Sequence, residues 1–233
     1  YFLVEHLPRL FSKVKVVAIV LAVAALIALG AKTYMRVPVW KDSLSLNEAA
    51  VSVSSSSARA NSFMSTALFE KYKETINPNA YRNLTPEQKD LLNKTEYYAN
   101  KAIQIVPDYQ NANLMLIGVA SEIYKAEKDI NTYIKIMKPC VIRRPDITFI
   151  KEFSDYLKGR GHDQELFPFY LEIGKTLMKL TDKRREWSIQ YLNYAYELQP
   201  SNKAVNEALA TAYELAGNMG QSARYKAAAQ SLQ

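Results

Sequence analysis

Cysteine and histidine are nearly missing from this sequence. Cys140 stands alone, so neither an intramolecular disulfide nor a cysteine-built zinc site can form. It reads as a small buried apolar residue. His6 and His162 are the two histidines, and only His162 lies beyond the N-terminal segment, so it lacks the second ligand of a usual metal site. There is no glycine-rich phosphate loop and no serine in a nucleophile elbow. Carboxylate pairs such as Glu70/Glu74 and Asp90/Glu96 fall on helix faces expected to be solvated. No catalytic residue, metal ligand or cofactor is therefore expected in this chain. Glycine is also scarce, with 7 in 233 residues. That disfavours a fold of many tight hairpins, and abundant Tyr, Lys, Ala and Leu favour helices.

The charge is +7, and its distribution matters more than its size. Residues 1–36 hold Arg9, Lys13, Lys15, Lys32 and Arg36 against Glu5, which is +4 and leaves +3 for residues 37–233. A nucleic-acid surface would concentrate its excess in the soluble part, so no nucleic-acid partner is expected. Here the excess flanks the uncharged run Val16–Ala31, VVAIVLAVAALIALGA. Sixteen helical residues span roughly 24 Å, against about 30 Å of bilayer core. Snorkelling by Lys15 and Lys32 closes the gap, and Tyr34 and Trp40 suit the far interface. The expectation is a transmembrane helix over about residues 14–34 within a membrane segment 1–36. Bases on the two sides nearly balance, so the positive-inside rule hardly discriminates. The chain opens on Tyr1, and residues 1–8 read as the exit from an earlier apolar segment of a longer, multi-span protein.

Behind the membrane the pattern is helical throughout. Trp40–Ala50 predicts a short juxtamembrane helix within residues 37–56. Ser54–Ser57 reads as the cap of the next helix in preference to a linker. From Trp187 to Ala229, small and aromatic residues recur at fixed spacing. Ser188-Ile189, Tyr191, Ala195, Glu197-Leu198 and Pro200 close one unit; Leu209-Ala210, Tyr213, Gly217, Ser222 and Ala229 follow in the next. A second instance closes on Tyr98, Ala102, Ile105 and Pro107 and reopens at Ala112 and Leu116. Its first helix is Ala58–Lys73. Thr75–Leu84 is an insertion, and Thr85-Pro86-Glu87-Gln88 restarts the helix with a capping box. These spacings are those of the 34-residue tetratricopeptide repeat (TPR). The expected packing positions are Ala102, Pro107, Ala195, Pro200, Ala210, Tyr213, Gly217 and Ala229.

Through residues 126–186 the pattern is irregular, and the repeat count stays open between three and five. Ile130–Met137 reads as a helix stopped by Pro139, and Val141–Pro145 as a connector. Ile147–Lys158 reads as a helix followed by Gly159 and Gly161, and Phe169–Leu180 as one containing Gly174. Arg143-Arg144 and Lys183-Arg184-Arg185 are short basic clusters on connectors, read as solvated turns able to meet an acidic partner. Tyr97, Tyr98, Tyr109, Tyr124, Tyr133, Tyr191, Tyr194, Tyr196 and Tyr213 are read as inter-helix packing, with a minority left as peptide anchors. Asn83-Leu84-Thr85 and Asn93-Lys94-Thr95 match the N-glycosylation pattern, which is common by chance.

The junction Lys32–Leu68 carries Arg36, Trp40-Lys41-Asp42 and Ser57-Ala58-Arg59-Ala60-Asn61. It resembles the step from last transmembrane helix to first repeat in protein O-mannosyltransferase-like (GT-C type) membrane glycosyltransferases, with serines where proline is usual before the Ser-Ala step. The resemblance implies an upstream catalytic region using a lipid-linked sugar. It also implies a repeat domain, 57–233, on the periplasmic side of a bacterial inner membrane. The expected architecture is all-α: one transmembrane helix, then a TPR-like solenoid of antiparallel helix pairs. The expected function is a membrane-anchored scaffold whose concave face takes a protein or peptide. The alternative is a non-enzymatic structural or adaptor subunit of an envelope complex.

Overall fold

The computed structural model describes residues 2–77 and 83–232, with all their side chains except those of 2–15, 148–150 and 153. Among the described residues the chain is all-helical, with eleven α-helices and no strand. It divides into two compact units, Tyr1–Val53 and Ser54–Gln233.

The first unit opens with α1, Phe2–Arg36. Pro8 lies inside α1, so residues 2–8, expected as an exit from an earlier segment, continue the same helix. A proline there removes one backbone donor without ending the helix. Val16–Trp40 is long and apolar enough to cross a membrane, and none of its most apolar window is buried. Lys32, Tyr34 and Trp40 are exposed; the side chain of Lys15 lies outside the described residues. A 3-10 turn, Val37–Trp40, leads to α2, Ser43–Val53. The helix thus begins three residues later than Trp40. Asp42 starts it, its Oδ1 accepting from Ser45 N at 2.8 Å.

The second unit holds α3 (Ala58–Glu74), α4 (Pro86–Ile105), α5 (Gln110–Glu127), α6 (Ile130–Arg143), α7 (Thr148–Leu157), α8 (Asp163–Met178), α9 (Ser188–Leu198), α10 (Lys203–Leu215) and α11 (Met219–Ser231). Local chemistry sets many boundaries. Ser57 Oγ accepts from Ala60 N at 3.2 Å, so the serine run ends in a cap. Thr85 and Gln88 form the capping box that opens α4, and Gln88 Nε2 also donates to Thr75 O at 3.1 Å. Residues 78–82 of the expected insertion lie outside the described residues. Asp129, Asn202 and Asn218 cap α6, α10 and α11. Gly217 turns α10 into α11 at φ 77°, where a side chain is disfavoured.

Two sequence expectations need correction. Pro139 does not stop α6, which runs on to Arg143 and takes in much of the expected connector. Likewise α8 starts at Asp163, six residues before Phe169, and carries Pro168 inside it. Both prolines lie on exposed helix surface, where the ring points outward and only one intrahelical bond is forgone.

Consecutive helices pack as pairs: α3 on α4, α5 on α6, α8 on α9, α10 on α11. Helices also touch across pairs: α4 on α5, α9 on α10, α3 on α5, α6 on α8 and α8 on α10. A continuous core runs from Ala99 to Tyr225, including Tyr133, Met137, Leu166, Ile173, Leu192 and Leu209. Close approaches depend on two glycines. A Cβ on Gly174 would lie 2.5 Å from Leu192 Cγ, and one on Gly118 would lie 2.8 Å from Phe69 Cζ.

Candidate recognition surface

Four connectors of the second unit share a local pattern. Pro107-Asp108-Tyr109 precedes α5, Pro145-Asp146-Ile147 precedes α7, Pro200-Ser201-Asn202 precedes α10, and Ser55-Ser56-Ser57 precedes α3. Three of the following helices carry a buried asparagine one turn in. Asn61 Nδ2 donates to Ser55 O and Ser57 O, both at 2.8 Å. Asn113 Nδ2 donates to Pro107 O (3.1 Å) and Tyr109 O (3.0 Å). Asn206 Nδ2 donates to Pro200 O (2.8 Å) and Asn202 O (2.9 Å). Each side chain clamps the carbonyls six and four residues before it. The carbonyl six residues back, which accepts no described backbone N–H, is thereby satisfied; the one four residues back also accepts the asparagine's own N–H, and the angle of entry into the helix is fixed.

The three clamps differ at Oδ1. Arg143 Nε donates to Asn113 Oδ1 at 2.9 Å. No described group donates to Asn61 Oδ1 or Asn206 Oδ1, although both are buried. Arg143 is the last residue of α6, so it ties the end of one helix to the start of its pair.

The neighbouring arginines extend this into a ladder. Arg144 pairs with Asp146 at 2.9 and 2.8 Å and reaches Asp108 O at 3.4 Å on the preceding connector. Arg184 pairs with Asp182, at 2.6 Å for its shortest contact, and reaches Ile142 O at 3.3 Å at the end of α6. Arg185 Nε donates to Leu180 O at 2.5 Å. The two basic clusters, remote in sequence, therefore line one cleft of about 740 Å³. Its walls are Asp108, Arg144, Asp146, Asp182, Lys183 and Trp187, with neighbours from the same three connectors. Beneath it Tyr191 donates to Pro145 O at 3.0 Å.

The electrostatics follow from the pairing. The Arg184 guanidinium holds Asp182 down to about 2, helped by the Arg184 backbone N–H. Arg144 lowers Asp146 in the same way, and both arginines are raised by their partners. Each guanidinium is thus held rigid and largely neutralised. Burial pushes the Cys140 thiol up to about 11, away from nucleophilic use, and raises the Tyr191 and Tyr170 phenols. Among the described residues no group of three His, Cys, Asp or Glu stands ready for a metal. His162 packs edge-on against Tyr124, ring centroids 5.3 Å apart.

The remaining expected positions fall as follows. Ala102, Ala195, Ala210 and Ala229 are buried. Pro107 and Pro200 are exposed at the surface, but their carbonyls are the clamp acceptors. Tyr213, half-buried, stacks on Tyr225 at 5.6 Å. Of the tyrosines, Tyr124, Tyr133, Tyr191 and Tyr194 are buried; Tyr98, Tyr109 and Tyr196 are half-buried. Tyr97 is 52% exposed, with Lys101 over its ring. Asn83 is exposed before α4; Asn93 lies within α4 and Thr95 beside it is fully buried. Sequence reading missed the clamps, although Asn four residues after a helix cap recurs three times. It also missed Glu122, buried in α5, which accepts from Tyr72 Oη at 3.1 Å and pairs with Lys125. Comparison of the chain with protein families and with curated proteins finds no match in either.

Proposed function

We propose that this chain is a membrane-anchored, TPR-like scaffold whose helical unit recognises a protein or peptide, and that its work is binding, not catalysis. The observation that supports this best is the packing order of the second unit. Helices pair with their sequence neighbours and also touch the alternate helix across pairs. That arrangement lets repeats share a core while one surface stays free for a ligand. The common clamp at Asn61, Asn113 and Asn206 supports a repeated unit, because it opens three helices by one device. Val16–Trp40 supplies the anchor in this reading. The glycosyltransferase-like parent and the periplasmic side of a bacterial inner membrane rest on the junction residues Arg36, Trp40 and Ser57–Asn61 alone.

The test uses the full chain in neutral-lipid nanodiscs, titrated against a library of labelled peptides of mixed charge and hydropathy. Saturable binding tighter than about 1 mM, competed by unlabelled peptide, is the expected result. A library with no such ligand would sink the recognition reading. Sugar transfer by this chain, with a lipid-linked donor supplied, would overturn the non-catalytic part.

A further inference from the structure

On α6, Lys135, Lys138 and Ile142 recur at intervals of three and four residues and share one face. On α8, Glu172 and Lys175 do the same, with Lys179 at its C-cap. The two helices pack together, and Lys138 forms an ion pair with Glu172, so these faces adjoin. Arg184 then ties the turn after α8 to Ile142 O at the end of α6, at 3.3 Å. The two links fall in the same order on both helices, so α6 and α8 run parallel here. Exposed Lys183 stands on that turn. Lys135, Lys138, Lys175, Lys179 and Lys183 thus form one ribbon. At 1.5 Å per residue along the helices it is roughly 20 Å long.

The ribbon's net charge equals the excess of the whole unit. Residues 54–233 contain 24 bases and 20 acids. Five lysines less Glu172 make +4, the same as that difference. Among the described residues no carboxylate lies within 4 Å of Lys135, Lys175, Lys179 or Lys183, and Glu172 is taken by Lys138. Other lysines of the unit carry carboxylate partners: Lys71 with Glu74, Lys89 with Glu127, Lys94 with Asp90, Lys125 with Glu122, Lys158 with Glu197 and Lys226 with Glu214. Among the described residues Lys73, Lys101, Lys128, Lys151 and Lys203 carry none but do not line up on two adjoining helix faces. Like charges one or two turns apart repel, so this face is stabilised when an anionic partner covers it. Pro139 and Pro168 give it exposed apolar contacts between the cations.

We propose that the ribbon docks an extended, Asp/Glu-rich segment of a protein partner. This rests on the recognition reading above and names the chemistry of its ligand. About six extended residues at 3.3 Å each match the ribbon's length. Lysine ammoniums, as rotatable point charges, suit a run of carboxylates better than a single bidentate anion.

The probe is dye-labelled decaglutamate, titrated by fluorescence anisotropy against the full chain in neutral-lipid nanodiscs, with decaserine as control. Binding of decaglutamate alone, weakening steeply as salt rises, is expected. The triple variant Lys135→Gln, Lys175→Gln, Lys179→Gln should lose at least about tenfold in affinity. A control triple Lys101→Gln, Lys203→Gln, Lys226→Gln should stay within about twofold. Unchanged melting of both variants shows that folding is not the cause, since every changed side chain is at least partly exposed. Equal affinity of the two triples, or no decaglutamate binding, overturns the proposal. So does protection of the ribbon lysines from acylation only in anionic-lipid nanodiscs, which would assign the face to a lipid surface. If mixed peptides bind and decaglutamate does not, the ribbon fails while recognition stands. If neither binds, both fail.

Discussion

Asn113 and Asn206 open their helices alike and are finished differently. Each donates twice to the carbonyls of the preceding connector. Asn113 also receives Arg143 on its oxygen, whereas Asn206 Oδ1 has no described donor. The cause lies in the partner helix. α6 ends in an arginine that reaches back to the start of α5; α11 ends on Gln230-Ser231, too short and too neutral to do so. The carbonyl clamp is therefore the common device. The third bond is a local addition that couples the clamp at Asn113 to the arginine ladder. The irregular centre is thus the more heavily tied part of the unit, although its sequence looks the least repetitive.

That comparison can be broken most sharply at the clamps themselves. Asn113→Ala removes two bonds to connector carbonyls and strands Arg143, and should cost about 3 kcal/mol in denaturant unfolding. Asn206→Ala should cost about 2 kcal/mol, because it strands no cation. Equal losses would mean that the Arg143 bond adds nothing. The two close glycines come next. Gly174→Ala meets Leu192 Cγ at 2.5 Å and the Leu192 backbone N at 3.2 Å, while Gly118→Ala meets only the tip of the Phe69 ring. Calorimetry should give about 2 kcal/mol for the first and about 1 kcal/mol for the second; the reverse order would place the tighter helix contact at α3–α5. Arg143→Met sharpens the comparison from the other side. It leaves Asn113 Oδ1 in the condition of Asn206, at about 1 kcal/mol, and a double-mutant cycle with Asn113→Ala should show coupling.

The smallest effect is in acid. Asp182, ordinarily near 3.8, is held at about 2 by Arg184, so the folded state binds its proton less readily than the unfolded state. The pair's contribution is complete above the ordinary carboxylate range and fades as pH falls through 3.8 toward 2. Asp182 is fully exposed, so only a slight fall in Tm is expected. It should appear in wild type and be absent in Asp182→Asn; an equal acid response in both would remove the pair from the account.

How much of this was legible in the sequence depends on the kind of residue. Caps were readable: Ser57, Thr85 and Gln88 act through neighbours within three residues, so the pattern contains the partner. Helix periodicity was readable wherever the apolar stripe was long. Pro139 and Pro168 misled because the rule that proline ends helices assumes a ring with nowhere to go, and here both rings face outward. The cleft was not legible. Arg143-Arg144 and Lys183-Arg184-Arg185 read as two solvated turns, since nothing local says that α6 and α8 end side by side. Lys138 with Glu172 and Arg184 with Ile142 O are contacts that only packing creates. The lysine ribbon was hidden for the same reason, being half on one helix and half on another.

The arginine ladder has a mechanical consequence. Its rungs, Arg144 to Asp108 O and Arg184 to Ile142 O, brace the central connectors, and among the described residues no comparable arginine rung joins α10 to what precedes it. A pull applied at the C-terminal end of α11 against α3 should first peel away α10 and α11 at low force. The load would then meet Arg184, then Arg144, each yielding at a separate peak in an optical-tweezers trace. Single Arg184→Ala and Arg144→Ala changes should erase those peaks one at a time. In that sense the unit is a chain of unequal fuses, weakest at α10 and α11.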